Sequence, residues 1–315
     1  MKRFWILPVL MFFLQTSSSF AAVDLSIGGT AWYVWWNPAW SDAKSTTSVI
    51  GGGPGLFIED SHDFKPSSNA MAGPVISIGF LERWSIQSVF TIGRFQSVSN
   101  GFSRDTMVFQ NISMSASYKK YTRDILKWDS DTSIGCAVHR MVKIFAGFKW
   151  QGYRYDEHLD NFMMVQPPFI RRVLSDDVNG YGGGIGLGLT IPLGAEFYLM
   201  MSVSGLALWS FEKIDINRSK SYYIDLTGLN PLLMWEQKGR YFSYGGSASL
   251  SFAYYIKKIN TTISIGGRYQ LLFNRQRYNN LFYNDAAMNI IDGQYDRFFG
   301  ITMSAIYTFH IGKNS

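Results

Sequence analysis

The stretch that decides the fold is FGITMSAIYTFHI, residues 299–311 near the C-terminus. Apolar and aromatic residues occupy its odd positions, from Phe299 to Ile311, whereas small or polar residues such as Gly300, Thr302 and Ser304 occupy most even positions. A period of two is that of a β-strand whose two faces meet different surroundings. The broad apolar face and the small polar face together predict a strand with lipid outside and a polar lumen inside.

The same alternation recurs along the chain and predicts ten strands, at about 24–36, 73–81, 83–95, 123–139, 142–155, 177–191, 195–209, 240–256, 261–273 and 299–311. The connections alternate between short and long, as in barrels with short periplasmic turns and long extracellular loops. The predicted fold class is therefore all-β, a single transmembrane antiparallel up-and-down β-barrel. A further strand within Val49–Glu59 gives the alternative, a barrel of twelve strands, although the glycines and proline at 51–54 disfavour a central strand there.

The N-terminus has the pattern of an export signal. Lys2 and Arg3 precede an apolar run of about 11 residues, Phe4–Leu14, which is too short to span a bilayer well. Small residues around Ala21 are typical of a signal-peptidase site. We therefore expect residues 1–22 to be removed and residues 23–315 to form a barrel in the outer membrane of a Gram-negative cell envelope. The chain is 47% hydrophobic, yet it has no apolar run long enough for a spanning helix, which favours a closed barrel.

Aromatic residues near the predicted strand ends are expected to form girdles at the two membrane surfaces. An indole or phenol ring is apolar in its body and polar at its tip, and such rings are enriched at this depth. A ligand-binding aromatic patch is the alternative use of the same cluster. The residues assigned to the girdles are Trp32, Trp35, Trp36, Trp128, Trp150, Trp209, Tyr307 and Phe309.

A second set of residues is predicted to line the lumen as a polar network: Asp129, Asp131, Lys143, Lys149, Gln151 and Arg268. A tight turn at Arg140 would place Asp131 opposite Lys149 and Asp129 opposite Gln151. Opposite charges across a ladder stabilise it by about 0.2–1 kcal/mol. The network either fills a narrow barrel or sets the constriction of a small, porin-like pore. The first interpretation is favoured, because about ten strands leave little free lumen once side chains are placed.

The chain resembles the omptin family of ten-stranded outer-membrane proteases. The stretches that carry the resemblance are KIFAGFKWQGYRY at 143–155, GGGIGLGLTIPLGAEFYLMMSVSG at 182–205, SASLSFAYYIKKINTTISIGGRYQ at 247–270 and GITMSAIYTF at 300–309. The resemblance implies a catalytic Asp pair after the third strand and an Asp–His pair after the seventh. At these places the chain has Asp105 without a second Asp nearby, and Asp215 without a His. No catalytic residue is therefore carried over from the family.

One other constellation has the composition of a general-base site. Asp156 and His158 lie at a predicted strand end, and Asp129 and Asp131 lie on the neighbouring strand. Because Asp129 is expected to pair with Lys149, a solvated surface is the favoured interpretation of this region, and a catalytic set of these four residues is the alternative. No spacing of His, Cys and acidic residues predicts a metal site, and no cofactor is expected.

The sequence thus predicts a barrel without a recognisable catalytic set, acting as a narrow pore or as a surface-binding or structural barrel. The alternative is a divergent omptin-like hydrolase, an endopeptidase that uses Asp and His residues at its rim. Membrane lipid and the machinery that inserts β-barrels are expected partners, and nucleic acid is not. Lipopolysaccharide is a candidate partner through cations in the long loops, namely Arg171, Arg172, Lys213, Arg218, Lys220, Arg275 and Arg277.

Overall fold

A computed structural model of the chain describes residues 23–39, 48–50, 56–60, 68–107, 115–163, 172–217, 235–279 and 293–311. The described residues form twelve antiparallel strands. Their bounds are β1 Val23–Asn37, β2 Ser48–Ile50, β3 Leu56–Asp60, β4 Ser68–Phe80, β5 Trp84–Met107, β6 Ser115–His139, β7 Val142–Met163, β8 Arg172–Gly194, β9 Phe197–Asn217, β10 Trp235–Ile256, β11 Thr261–Asn279 and β12 Tyr295–Ile311. No helix among these residues is long and apolar enough to cross a membrane.

Ten of these strands close into a single barrel. Neighbours in the chain pair with each other from β4 through β12, and β1 lies between β4 and β12. Val23 pairs with Ile311 and Asn37 with Arg297, so the first and last strands of the chain form one seam. The predicted up-and-down barrel of ten strands is confirmed, and it leaves no open edge in the part of the wall that crosses the membrane.

The two short strands β2 and β3 form a hairpin outside the barrel wall. Leu56–Asp60 pairs with Ser103–Met107, at the far end of β5. The residues between Val49 and Glu59 therefore do contain strand, as the alternative supposed, but they extend the rim of β5 and add no strand to the closed wall. The prediction of a barrel of twelve strands is wrong for this reason.

Tight turns connect neighbouring strands at one end of the barrel. Leu81 and Glu82 both have positive φ (51° and 58°), and so do Ala195 and Glu196 (43° and 73°). Two successive residues with positive φ form the turn whose twist matches that of a two-stranded ribbon. The opposite ends of the strands run much further, since β5 and β6 have 24 and 25 residues. About 9–11 residues suffice to cross a bilayer, so the excess projects beyond it.

The outer wall is apolar and carries an almost continuous aromatic belt. Trp150 stacks on Tyr181 with ring centroids 6.3 Å apart, and Trp209 lies 4.9 Å from Phe242. Further pairs continue the belt around the wall: Phe90 with Trp150, Trp128 with Trp150, Tyr244 with Phe273, Phe273 with Tyr295, and Trp35 with Phe299. At the turn end of the barrel Tyr307 contacts Phe309 at 4.5 Å. Such a wall suits a hydrocarbon layer between two interfaces.

Two residues assigned to the girdle lie inside the barrel. Trp32 and Trp36 are buried, Trp36 with only 2% of its surface exposed, whereas Trp35 is 42% exposed on the outer wall. Side chains alternate across a strand, so the even-numbered Trp32 and Trp36 point the opposite way from Tyr33 and Trp35. Trp36 packs against Phe95 and Tyr153 in the bore, at ring distances of 5.6 and 5.3 Å.

Candidate functional site

The middle of the bore holds a network of charges whose central pair, Lys149 and Asp129, is buried. Lys149 on β7 places its Nζ 2.9 and 2.8 Å from the two carboxylate oxygens of Asp129 on β6. The same Nζ lies 3.8 Å from Asp131, which also accepts a hydrogen bond of 3.2 Å from Arg268 on β11. The ladder places Asp131 opposite Lys149 and Asp129 opposite Gln151, as the sequence analysis expected of a tight turn.

Contacts between facing walls close the bore at this height. Gln270 on β11 donates a hydrogen bond of 2.9 Å to Gln151 on β7, and Arg268 reaches Asp131 from the same strand. These two contacts join residues 119 and 137 positions apart in the chain. Lys143 lies nearer the turns and donates to the Ser85 hydroxyl at 2.5 Å. All six residues predicted to line the lumen thus point inward, and four of them, Asp129, Asp131, Lys149 and Arg268, contact one another directly.

A layer of aromatic rings lies inside the bore, between this network and the outer mouth. Lys127 is buried with its Nζ 4.2 Å from the centroid of the Trp36 ring and about 6 Å from the rings of Phe298 and Tyr153. A cation over an aromatic face is stabilised by the ring quadrupole, and more so away from water. The bore is not polar along its whole length, because beyond the charged network it is packed with Val34, Trp36, Met71, Phe95, Ile125, Tyr153, Tyr155 and Phe298.

The outer mouth holds a pair of buried acids that sequence reasoning missed. Asp176 on β8 and Glu212 on β9 both face the interior, and both lie beyond the aromatic belt on their strands. Burial raises the pKa of Glu212 to about 7, although the Tyr241 hydroxyl donates a hydrogen bond to its Oε2. Burial and the nearby Glu212 carboxylate raise the pKa of Asp176 well above its ordinary value, against a hydrogen bond from Tyr155.

The structure does not bring the candidate catalytic residues Asp129, Asp131 and Asp156 together. Asp129 and Asp131 lie in the bore and bind cations there. Asp156 follows the inward-facing Tyr155 and so lies on the outer face of β7, opposite Asp124. These carboxylates therefore do not form one site. The side chain of His158 lies outside the described part of the structure.

The side chains of Asp105 and Asp215, at the places where the omptin pattern would lie, are outside the described residues. Among the residues that the structure describes, no three His, Cys, Asp or Glu side chains converge in a way that could hold a metal ion.

The barrel resembles solved outer-membrane barrels. The outer membrane protease OmpT from Escherichia coli matches with a TM-score of 0.52 at 13% identity, over 94% of this chain and 99% of that one. A FadL homologue from Pseudomonas aeruginosa matches at 0.34 and 9% identity, over 91% and 90% of the two chains. The toluene transporter TbuX from Ralstonia pickettii matches at 0.33 and 7% identity, over 93% and 90%. No family model and no curated protein matches the chain.

The likeness to OmpT confirms that the chain has the strand and loop layout of an omptin. An identity of 13% shows the fold alone, because one fold hosts many unrelated activities.

Proposed function

We propose that this chain is a closed barrel of the outer membrane that acts as a surface-binding or structural barrel and not as a pore. The observation that carries the proposal is the buried cross-section at Lys149, which has 1% of its side chain exposed while it bonds Asp129. Contacts from Arg268 and Gln270 span the bore at the same height. A conducting path would need an open column of water through this layer.

The space left beside the network supports a closed bore. The cavity bounded by Asp131, Phe145, Lys149, Gly184 and Leu206 has a volume of about 20 Å³. A single water requires roughly 10–15 Å³, so the cavity has room for about one water. So small a cavity beside Lys149 supports a bore that its own side chains fill.

The closed bore leaves the outer surface as the working part of the molecule. Exposed cations lie on the strands near and above the aromatic belt, among them Lys213, Lys238, Arg240, Arg275 and Arg297. Lys213 on β9 lies opposite Lys238 on β10 and, on its other side, opposite Asp177 on β8. A row of cations at the lipid surface suits a polyanion, and we propose the phosphates of lipopolysaccharide as its partner. Export through a cleaved signal at residues 1–22 and insertion by the β-barrel machinery belong to the same proposal.

Two assays test the two halves of this proposal. Proteoliposomes that contain the refolded chain should not swell in iso-osmotic sugars or amino acids, whereas a general porin should swell them. Swelling at the porin rate would overturn the closed bore. Arg240→Ala combined with Arg275→Ala should weaken retention of lipopolysaccharide on the purified barrel, whereas Lys257→Ala at the opposite end should not. Equal retention by both variants would overturn the lipid partner.

The alternative of a rim hydrolase receives no support from the described residues, because Asp156 lies on the opposite face of the wall from Asp129 and Asp131. A diverse peptide library gives the direct test. His158→Ala should have the same cleavage profile as the wild type, and loss of specific cleavage in that variant would restore the alternative.

A further inference from the structure

The acid pair in the outer mouth is built by two adjacent strands. Glu212 on β9 is opposite Val178 on β8, so Asp176 is two residues from the position that faces Glu212. Residues in such diagonal positions on one face of a sheet lie about 7–8 Å apart between Cα atoms, within reach of long side chains. Each acid also has a tyrosine hydroxyl: Tyr155 bonds Asp176 and Tyr241 bonds Glu212.

One oxygen of this pair has no hydrogen-bond partner. Asp176 has 2% of its surface exposed, and its Oδ1 is buried without a donor. An unpaired buried carboxylate oxygen is costly, and native structures seldom leave one without a water or an ion. Asp176 lies on the interior face of β8 and Glu212 on the interior face of β9, so the orphaned oxygen belongs to the interior that they share. It therefore points to a ligand that carries positive charge.

Once both acids are ionised, the charged groups around the pair leave an excess of negative charge. Arg123 on β6 lies near Asp176 and also over the Tyr155 ring, with 5.0 Å between its Cζ and the centroid. Asp177 is the next residue on β8, on the outer face, and adds to the negative potential. One guanidinium thus faces two inward carboxylates. The remaining charge suits one cation.

We propose that Asp176 and Glu212 form a binding site for a divalent cation of the calcium class in the outer mouth of the barrel. The polar groups of the two acids and their tyrosines are carboxylates and phenols, and hard cations take oxygen ligands. Ca²⁺ requires six to eight oxygens, so water completes its shell. The bound ion ties β8 to β9, and through Tyr241 to β10, above the membrane surface.

The proposed site is weak and depends on pH. Two carboxylates give a low ligand charge, so we expect a Kd of about 10⁻⁴–10⁻³ M, as in extracellular calcium modules. Both carboxylates must lose their protons before the ion binds, so affinity should rise with pH and binding should release a proton.

Terbium luminescence on the full-length refolded barrel tests the site, because Tyr155 and Tyr241 are close enough to sensitise a bound lanthanide. The wild type should show one saturable signal at about pH 8 that Ca²⁺ displaces. Glu212→Gln and Asp176→Asn should each weaken binding about tenfold or more. Glu196→Gln, at the turn end of the barrel, should bind as the wild type does. Both substitutions in the pair are nearly isosteric, and heat-dependent gel mobility identifies the variants that have folded.

Two results would overturn this site. One is the absence of saturable Tb³⁺ or Ca²⁺ binding up to about 10 mM, well above the expected Kd. The other is binding in folded Glu212→Gln that equals binding in Glu196→Gln. Either outcome leaves the closed bore and its swelling assay unaffected.

Discussion

The Nζ of Lys149 lies 2.8 Å from Asp129 Oδ2 and 2.9 Å from Asp129 Oδ1, with both side chains at least 96% buried in the middle of the bore. This ion pair joins β6 to β7 in the middle of the charge network. A buried ion pair of good geometry has lost its water, so each partner depends on the other.

Replacing one partner should therefore destabilise the barrel strongly. Lys149→Met leaves the Asp129 carboxylate buried without its main cation, and we expect a loss of about 3–5 kcal/mol in the free energy of unfolding. Urea unfolding of the barrel in lipid vesicles measures this change. The double variant Lys149→Met with Asp129→Leu should recover part of the loss, because it removes the unpaired charge.

The control for that prediction is the exposed pair at the turns. Lys257 lies 2.8 Å from Glu196, but its side chain is 71% exposed. Lys257→Met should leave the unfolding midpoint unchanged, because solvent screens such a pair. A change in Lys257→Met as large as that in Lys149→Met would mean that burial does not set the strength of the central pair.

The two neighbouring tryptophans of β1 should differ sharply in their effect on stability. Trp36 packs on Phe95 and under Lys127 inside the bore, whereas Trp35 faces outward. Trp36→Ala leaves a cavity and should cost about 3–5 kcal/mol. Trp35→Ala exchanges a ring for lipid contact and should cost clearly less. Equal losses in the free energy of unfolding for the two variants, measured in urea, would contradict the placement of Trp36 inside the bore.

The inward-facing Gly186 of β8 should be intolerant of a side chain. A Cβ on Gly186 would lie 2.4 Å from the Val203 carbonyl oxygen and 2.5 Å from the ring of Phe145. Gly186→Ala should therefore destabilise the barrel by about 1–3 kcal/mol through overpacking. Gly205 on the outer wall has open space at its Cβ, so Gly205→Ala should be close to neutral. The same loss of stability in both variants would contradict this account of Gly186.

Stability of the outer mouth should fall as pH rises. Burial raises the pKa of Glu212 from its ordinary 4.5 to about 7, so between these values the folded chain holds a proton that the unfolded chain has lost. The protonated acid thus stabilises the folded state at low pH, and this contribution, at most about 3 kcal/mol, is lost as pH rises through about 7.

Hydrogen exchange of β8 and β9 measures this effect, with a chelator present so that no cation compensates. Protection should be greater at about pH 5 than at about pH 8, after correction for the intrinsic exchange rate. Glu212→Gln should flatten the dependence, because an amide does not titrate. A wild type with equal corrected protection at both pH values would contradict the shifted pKa.

Much of this fold could be predicted from alternation alone. The stretch 299–311 and its repeats gave all ten strands of the closed wall, because the lipid and the bore impose different residues on alternate positions. The hairpin Ser48–Ile50 with Leu56–Asp60 was harder to predict, because it extends a rim and has neither lipid nor a bore to pattern it.

The site was only partly predictable, because parity gives the face of a side chain and not its depth. Lys127 shares its parity with Asp129 and Asp131, so its inward direction was available from the sequence. Its cage of aromatic rings was not, because those rings come from β1, β7 and β12. The position of Trp36 near the end of β1 suggests a place in the girdle, whereas its even parity places it inside the barrel, where the structure has it. The contact from Arg268 to Asp131 depends on the width of the closed barrel.

Planar-bilayer recording of the refolded wild type tests the central claim, a bore filled by its own side chains, most directly. We expect no discrete conductance steps at salt and voltage where a general porin conducts, because Lys149, Asp129, Arg268 and Gln270 occupy the cross-section. Reproducible, ohmic steps from the wild type would contradict a closed bore.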